Sequence, residues 1–253
     1  MKIKKIFINN IGVSQIKIDQ IVPFIKDSFV KSKYGYITVT GAHGIIESHD
    51  SEKIKKAHNN SLLTIPDGMP LVYLSKIKGS DNINRCFGPE TMKLILDDKE
   101  LSRKRHFLYG GNIGVAKKLK DKLQKKFNTN VVGYYTPPFR PLNEKENNDL
   151  KKIVKELKPD IIWVGISCPK QELFMYEYFN KLDVKFMFGV GAAFDYHLEG
   201  LRPAPKIVQL LALEWFYRLI QEPKRLFKRY INIVPRFIIL SFYDLYSYFL
   251  KKS

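Results

Sequence analysis

From residue 106 to residue 190, short apolar runs alternate with longer amphipathic ones, and most changes of pattern fall at a glycine or proline turn. Residues 106–109 read as a strand, Gly110-Gly111-Asn112-Ile113-Gly114 as a turn, 115–127 as a helix and 130–135 as a strand. Beyond a proline-rich loop at 136–141 come a charged helix at 144–157, a strand at 160–167, a helix from Pro169 to about Asn180 and a strand at 184–190. Strands separated by helices run parallel and are joined by right-handed crossovers. The expectation is an α/β fold, a Rossmann-like parallel sheet with helices on both faces.

The first half carries the same pattern less regularly. Residues 6–8 read as a first strand, 18–30 as a helix and 36–40 as a second strand ending in Gly41-Ala42-His43-Gly44. A helix with a lysine-rich outer face near 53–56 follows. The stretch Leu62-Leu63-Thr64-Ile65-Pro66-Asp67-Gly68-Met69-Pro70-Leu71-Val72 is more telling. An apolar β-type run ends in a carboxylate, and a turn residue and a helix-starting proline come next. Asp67 is thereby placed at the carboxyl end of a strand, where open α/β sheets bind ligands. The plainer alternative is that Asp67 only caps the next helix. A loop at 79–87 holding Arg85 and a helix at 89–96 complete this half.

Chemistry-bearing groups gather at the turns. Gly110, Gly111 and Gly114 bring bare backbone close to a ligand and can aim amides at an anion. A second glycine turn, Gly189-Val190-Gly191, also ends a strand and leads to Asp195. Two such turns in one sheet point to a nucleotide site, without naming the nucleotide. Pro169 starts a helix with Lys170, Gln171 and Glu172 in its first turn; an amide there can donate to a phosphate or hydroxyl, or Glu172 simply complements the helix dipole. Of the five histidines only His43 lies in such a turn, and none has metal-ligand spacing. Without a metal, a departing diphosphate must be met by arginine, lysine and helix termini.

Those cations lie beyond about Tyr196. Residues 200–253 hold ten Lys/Arg against three Asp/Glu, and 11 of the chain's 33 aromatic residues. Arg218, Gln221 and Arg225 share a face if Pro223 opens a new helix, though an amphipathic helix with snorkelling arginines gives the same pattern. In the run 237–250, Ser241, Asp244, Ser247 and Lys251 form one polar stripe on an otherwise apolar helix. Such a helix lies in a membrane interface, packs against a partner, or is buried on its own domain. No charge-free run of 18 apolar residues occurs, so no spanning helix is expected. The start of the chain reads as a short strand and not a signal-peptide core. Two cysteines without a CxxC pair fit a reducing cytoplasm.

Together these blocks resemble the WecG/TagA/CpsF family of bacterial glycosyltransferases. The pieces are Thr64 to Val72 with Asp67, Arg85 with Gly88-Pro89, Gly110-Gly111 through Gly114, Gly165 through Glu172, Gly189 through Asp195, and Ala204-Pro205 through Tyr230. They occur in the family's order and cover nearly the whole chain. The resemblance implies a GT-E type fold with a catalytic core at 1–196 and a basic, aromatic, helical appendage at 197–253 that associates with membrane. It implies an inverting, metal-independent transfer of N-acetylmannosamine or a related hexose, with no cofactor. The donor would be a UDP-sugar and the acceptor a polyprenyl-diphosphate-linked saccharide, in cell-surface polysaccharide or teichoic acid synthesis. Asp67 would be the general base, with Arg85 and Gln171 in the same pocket. Arg218 and Arg225 would close over the leaving UDP, and the enzyme would sit on the inner face of the cell membrane. Thr40 takes the position of the family's threonine, whereas the asparagine that follows it in many members is absent from Thr40-Gly41-Ala42-His43.

Two other classes of protein fit the sequence less well. A net charge of +18 suits a nucleic-acid-binding module, but the aromatics cluster in the amphipathic tail instead of alternating with basic residues on a sheet face. A nicotinamide-dependent oxidoreductase needs a third glycine and a ribose-binding acid that the turn at Gly110 lacks. Nucleic acid is therefore not an expected partner, and self-association is left open.

Overall fold

A computed structural model describes residues 2–198 and 200–252. The chain opens with a hairpin, β1 (Lys5–Ile8) and β2 (Ile11–Ser14), paired antiparallel. Asn9 and Asn10 both adopt left-handed backbone, φ 48° and 64°, as a two-residue hairpin turn of this hand requires. The expected first strand of the parallel series is thus half of a separate two-stranded sheet, and its partner at 11–14 was not foreseen.

After α1 (Ile21–Val30) the main sheet begins with β3 (Gly35–Thr40), buried along its whole length. The single helix expected next is two, α2 (Ala42–Asp50) and α3 (Glu52–Asn59), broken at an extended Ser51. Then come β4 (Leu63–Pro66), α4 (Met69–Ile77), α5 (Gly88–Asp97), β5 (His106–Gly110), α6 (Val115–Phe127) and β6 (Val131–Tyr135). The series ends with α7 (Glu144–Leu157), β7 (Ile161–Gly165), α8 (Lys170–Tyr178), β8 (Phe186–Gly189) and α9 (Ala193–His197). The six strands are all parallel, in the order β4-β3-β8-β7-β5-β6. One face packs Phe24, Met92, Leu119 and Phe194 onto Trp163 and Phe188. The other packs Leu150, Val154, Phe174 and Met175 onto Phe107 and Met187. Helices cover both faces, and the strands read as apolar runs because both their sides are inside.

Three further helices follow: α10 (Lys206–Leu210), α11 (Glu214–Gln221) and α12 (Pro223–Leu250). Pro223 does open a new helix, so the chain turns at Glu222. Ile233 and Phe237 of α12 join the hairpin, α2 and α4 in a third apolar cluster. The first half of the polar stripe of α12, Ser241 and Asp244, faces inward, whereas Ser247 and Lys251 are exposed. Ser241 is buried and donates to the Phe237 carbonyl at 2.7 Å, and Asp244 pairs with the buried ammonium of Lys78 at 2.5 Å. The Tyr248 hydroxyl donates to the Lys78 carbonyl. The opposite face leaves Ile239, Phe242, Tyr243, Tyr246 and Phe249 exposed. Within the 28 residues of α12 an 18-residue window reaches a mean hydropathy of 1.2, so by length and composition alone the helix is apolar enough to cross a membrane, although the run is not free of charge.

Candidate active site

The carboxyl ends of the parallel strands open into two cavities. The first, about 440 Å³, lies over β3, β4 and β8 and is roofed by α11 and α12. The second, about 920 Å³, lies over β5 and β7 beside the loop at 137–142. Ser167, Gly191, Ala192 and Arg225 line both, so the cavities meet at one wall.

Asp67 sits in the first cavity, one residue past β4. Its amide donates to the Thr40 carbonyl at 2.8 Å, which ties it to the end of the neighbouring strand. Its Oδ1 accepts from the Gly88 amide at 3.2 Å, at the start of α5, and its Oδ2 forms no hydrogen bond among the described residues. The carboxylate therefore does not cap α4, whose N-cap is Gly68. It rests instead at the amino end of α5, with one oxygen held and the other left for the cavity.

Arg85 is stretched over the same cavity. Its Nε donates to the Asp67 carbonyl at 2.8 Å, and its two terminal nitrogens reach Gln209 at 2.9 Å and Glu214 at 2.6 Å. The guanidinium also lies 4.2 Å from the Phe87 ring centre. Burial pushes the Glu214 carboxyl up to about 7, against the pull of Arg85. Glu214 and Tyr230 fall within the block from Ala204 to Tyr230 but nothing there singles them out, and Tyr196, on the same cavity, lies outside every motif.

Gln171 lines the first cavity, but its carboxamide is committed internally. Its Nε2 donates to Glu172 at 2.9 Å and to the Gly189 carbonyl at 3.3 Å, and its Oε1 accepts from the Gly191 amide at 3.0 Å. It braces the second glycine turn. Glu172 beneath it is fully buried, its Oε2 lacks a hydrogen-bond partner, and burial pushes its carboxyl up to about 7. Gly189 packs so closely on α8 that a Cβ would come within 2.6 Å of Met175 Cε.

The first glycine turn borders the second cavity. Gly110, Gly111 and Gly114 all have positive φ, but the Gly111 amide already donates to the Gly165 carbonyl at 3.0 Å. Lys170 is at the rim, its ammonium on the Phe139 carbonyl at 3.0 Å. Asp195 is on the far wall, its carboxyl raised by burial and by Glu222. Stacked aromatics, Tyr109 on Phe174 with centroids 4.1 Å apart and Phe174 on Tyr178 at 4.6 Å, form an apolar side. Arg218 and Arg225 both pair with Glu222, at 3.2 and 2.5 Å. Thr40 and His43 lie at the back of the first cavity. The Thr40 hydroxyl is bonded to His58, and His43 pairs with Glu47 at 3.0 Å. The structure thus brings Asp67, Arg85, Gln171, Thr40, His43, Arg218, Gly191 and Arg225 around one space, and Gly111, Lys170, Asp195 and again Gly191 and Arg225 around the adjoining one, whereas Gly110, Gly114 and Gly189 line neither.

An open parallel sheet with two joined cavities at its carboxyl edge, one holding a carboxylate and the other glycine turns and aromatics, has the layout of an enzyme for two substrates. The chain belongs to the glycosyl transferase WecG/TagA/CpsF family, whose model matches residues 6–249, and it is a glycosyltransferase. It is 26% identical over 237 residues to the N-acetylglucosaminyldiphosphoundecaprenol N-acetyl-beta-D-mannosaminyltransferase of Bacillus subtilis strain 168, covering 92% of this chain and 89% of that protein. The protein of the same description from Bacillus spizizenii is 23% identical over 232 residues, 91% of this chain and 88% of its own length.

Proposed function

We propose that this glycosyltransferase moves N-acetylmannosamine or a related hexose from a UDP-sugar to a polyprenyl-diphosphate-linked saccharide, in the synthesis of a cell-surface polysaccharide. The relatives' names supply the acceptor class and the sugar. The observation that carries the mechanism is the meeting of the two cavities at one wall, with Asp67 on one side and Arg225 on it.

The nucleotide takes the larger cavity, where Tyr109 and Phe174 offer aromatic surface and Asp195 a hydrogen-bond acceptor. Its diphosphate lies against Arg225 and Arg218, and the donor sugar reaches the shared wall. The acceptor enters the smaller cavity, whose lining runs from Asp67 past Arg229 to Ile233, Phe237 and Ile238 on α12. Asp67 takes the proton of the acceptor hydroxyl as that oxygen bonds to the anomeric carbon, and the bond to UDP breaks on the opposite side. Attack from one side and departure from the other invert the anomeric centre. The arginines, with Arg85 held over the pocket, meet the charge that develops on the leaving diphosphate.

The residues from 197 onward act as an appendage that docks on the inner face of the membrane. Their exposed apolar side chains, among them Ile207, Leu211, Phe216, Ile239 and Phe242, share this segment with the exposed Lys224 and Lys228. Apolar surface rimmed by cations suits an anionic lipid interface. Flotation with anionic vesicles should carry the protein upward, and flotation with neutral ones much less.

The decisive variant is Asp67→Asn. Release of UDP from UDP-N-acetylmannosamine with a short-chain prenyl-diphosphate N-acetylglucosamine acceptor should fall by about 10²–10⁴, the range for loss of a general base. UDP binding by calorimetry should stay within about twofold, since the change is remote from the nucleotide cavity. Retained turnover overturns the assignment of the base.

A further inference from the structure

Behind Thr40 lies a buried polar chain. Thr40 Oγ1 is 2.5 Å from Nε2 of His58, a residue of α3 with no exposed surface. The other ring nitrogen, Nδ1, is 3.1 Å from the Ile54 carbonyl and 3.0 Å from Ser48 Oγ. A carbonyl can only accept, and Ser48 gives its own proton to the Gly44 carbonyl at 2.7 Å. Both neighbours of Nδ1 therefore call for a proton on Nδ1. Burial pushes the imidazole down to about 4, so the ring is neutral and its single N–H is the one on Nδ1. Nε2 is left with a lone pair, and the hydrogen bond to Thr40 runs from the threonine hydroxyl to the ring. Gly44 leaves the space this contact needs, since a Cβ there would stand 3.1 Å from Thr40 Oγ1 and 3.2 Å from His58 Nε2.

We infer that His58 is a positioning residue which turns the Thr40 hydroxyl into a pure hydrogen-bond acceptor toward the first cavity, so that the group seated beside Asp67 is a hydrogen-bond donor, a saccharide hydroxyl or amide N–H, and not a phosphate. Thr40 and Asp67 end adjacent strands and are tied by the bond from the Asp67 amide to the Thr40 carbonyl. Thr40, only 2% exposed, lines the first cavity with Asp67, so the rim between them offers the Thr40 oxygen as an acceptor next to the Asp67 carboxylate. Such a surface attracts O–H and N–H groups and repels phosphate oxygens. The inference rests on the sugar-transfer reading and adds an orientation to it: the saccharide end of the ligand points at the strand ends, and the diphosphate lies toward the C-terminal helices.

Two measurements test it. Nitrogen-15 spectra of the imidazoles, with the His58 signals assigned by their loss in His58→Gln, should show a neutral Nδ1–H tautomer unchanged from pH 5.5 to 8. An Nε2–H tautomer would reverse the direction of the Thr40 bond and overturn the inference, whatever reaction the protein catalyses. With the prenyl-diphosphate N-acetylglucosamine acceptor, Thr40→Val and His58→Met should each raise KM about tenfold, the effect of one ordinary hydrogen bond. The double variant should be no worse than Thr40→Val, because His58 acts only through the hydroxyl. His58→Gln, whose carboxamide oxygen can accept from Thr40, should recover most of the loss. Additive losses of about a hundredfold in the double variant would mean that His58 supports the fold and not the hydroxyl. Absence of turnover in the unaltered protein would count against the sugar-transfer reading, and the spectra would still decide the tautomer.

Discussion

Along the rim of the sheet, polar groups of side chains and backbone are bonded to neutral partners inside the protein: Thr40 to His58, Gln171 to the Gly189–Gly191 turn, the Gly111 amide to Gly165. Over the same cavities, the C-terminal helices hold theirs in ion pairs, Arg85 with Glu214 and Arg218 and Arg225 with Glu222. A neutral bond buried at a strand end fixes one geometry, because a lost partner leaves a costly unsatisfied group. The Arg225–Glu222 pair, whose arginine side chain is 45% exposed, is weak and readily exchanges one anion for another. The rim is built to hold atoms in place, and the helices are built to trade carboxylates for an incoming diphosphate.

The largest effect should come from breaking the rim. A Cβ on Gly110 would stand 2.4 Å from the Gly165 carbonyl oxygen, at a φ of 128° that side chains rarely adopt. Gly110→Ala should cost about 3 kcal/mol or more in urea unfolding, since strain and overlap add. A loss under about 1 kcal/mol would show that the rim yields, and the contrast with the helices would fail.

Next comes Glu172, whose folded-state carboxyl lies near 7 against an ordinary 4.5 because it is buried. The native protein then holds a proton that the unfolded chain releases across this window. Stability from this group is full below about pH 4.5 and declines as pH rises through 7, by about 3 kcal/mol at the upper end. Glu172→Gln keeps an acceptor for Gln171 and removes the titration. Its stability relative to the unaltered protein should be near zero at pH 5 and about +2 kcal/mol at pH 8, less than the full term because the new amide also lacks a partner. Taking the difference matters: His58 and His106, both pushed down to about 4 by burial, lose stability as pH falls and slope the other way. A flat difference across pH would mean that the carboxyl is solvated.

The same contrast explains what the sequence disclosed. Backbone patterns were legible: the alternation, the strand end at Asp67 and the proline restart at Pro223 are local, and each follows from propensity and turn chemistry. The hairpin was missed because Asn9-Asn10 lies between two four-residue strands too short for periodicity to register. The candidate site was legible as a set of positions, since Asp67 follows a strand end, Arg85 lies in the loop before α5 and Gln171 is in the first turn of α8, each within one of the sequence blocks. Its internal bonding was not. Nothing in one dimension joins His58 to Thr40 or Glu214 to Arg85, and the polar stripe of α12 could not say which way it faced until Lys78 was placed beneath Asp244.

On the helices the effects should be smaller and should depend on salt. Arg225→Ala removes a cation from the wall shared by the two cavities. UDP affinity should fall about tenfold at low ionic strength and clearly less at 0.5 M salt, where exposed charges are screened. A loss independent of salt would place Arg225 with the rim, as a fixed structural group.

The smallest change probes the exchange itself. Burial works against the Glu222 carboxylate, but its two arginines outweigh it and hold the carboxyl below its ordinary range. It is therefore ionised throughout the neutral range and occupies Arg218 and Arg225 whenever no other anion does. Glu222→Gln removes the competing charge while keeping the shape and one acceptor oxygen. Stability should drop by less than about 1 kcal/mol, as for other exposed pairs. UDP should bind about two- to fivefold more tightly, because the arginines no longer leave one carboxylate to meet a diphosphate, and the gain should vanish at high salt. Weaker binding in Glu222→Gln would give the opposite lesson: Glu222 would then be aiming the guanidinium groups, and the C-terminal helices would be as preorganised as the strand ends beneath them.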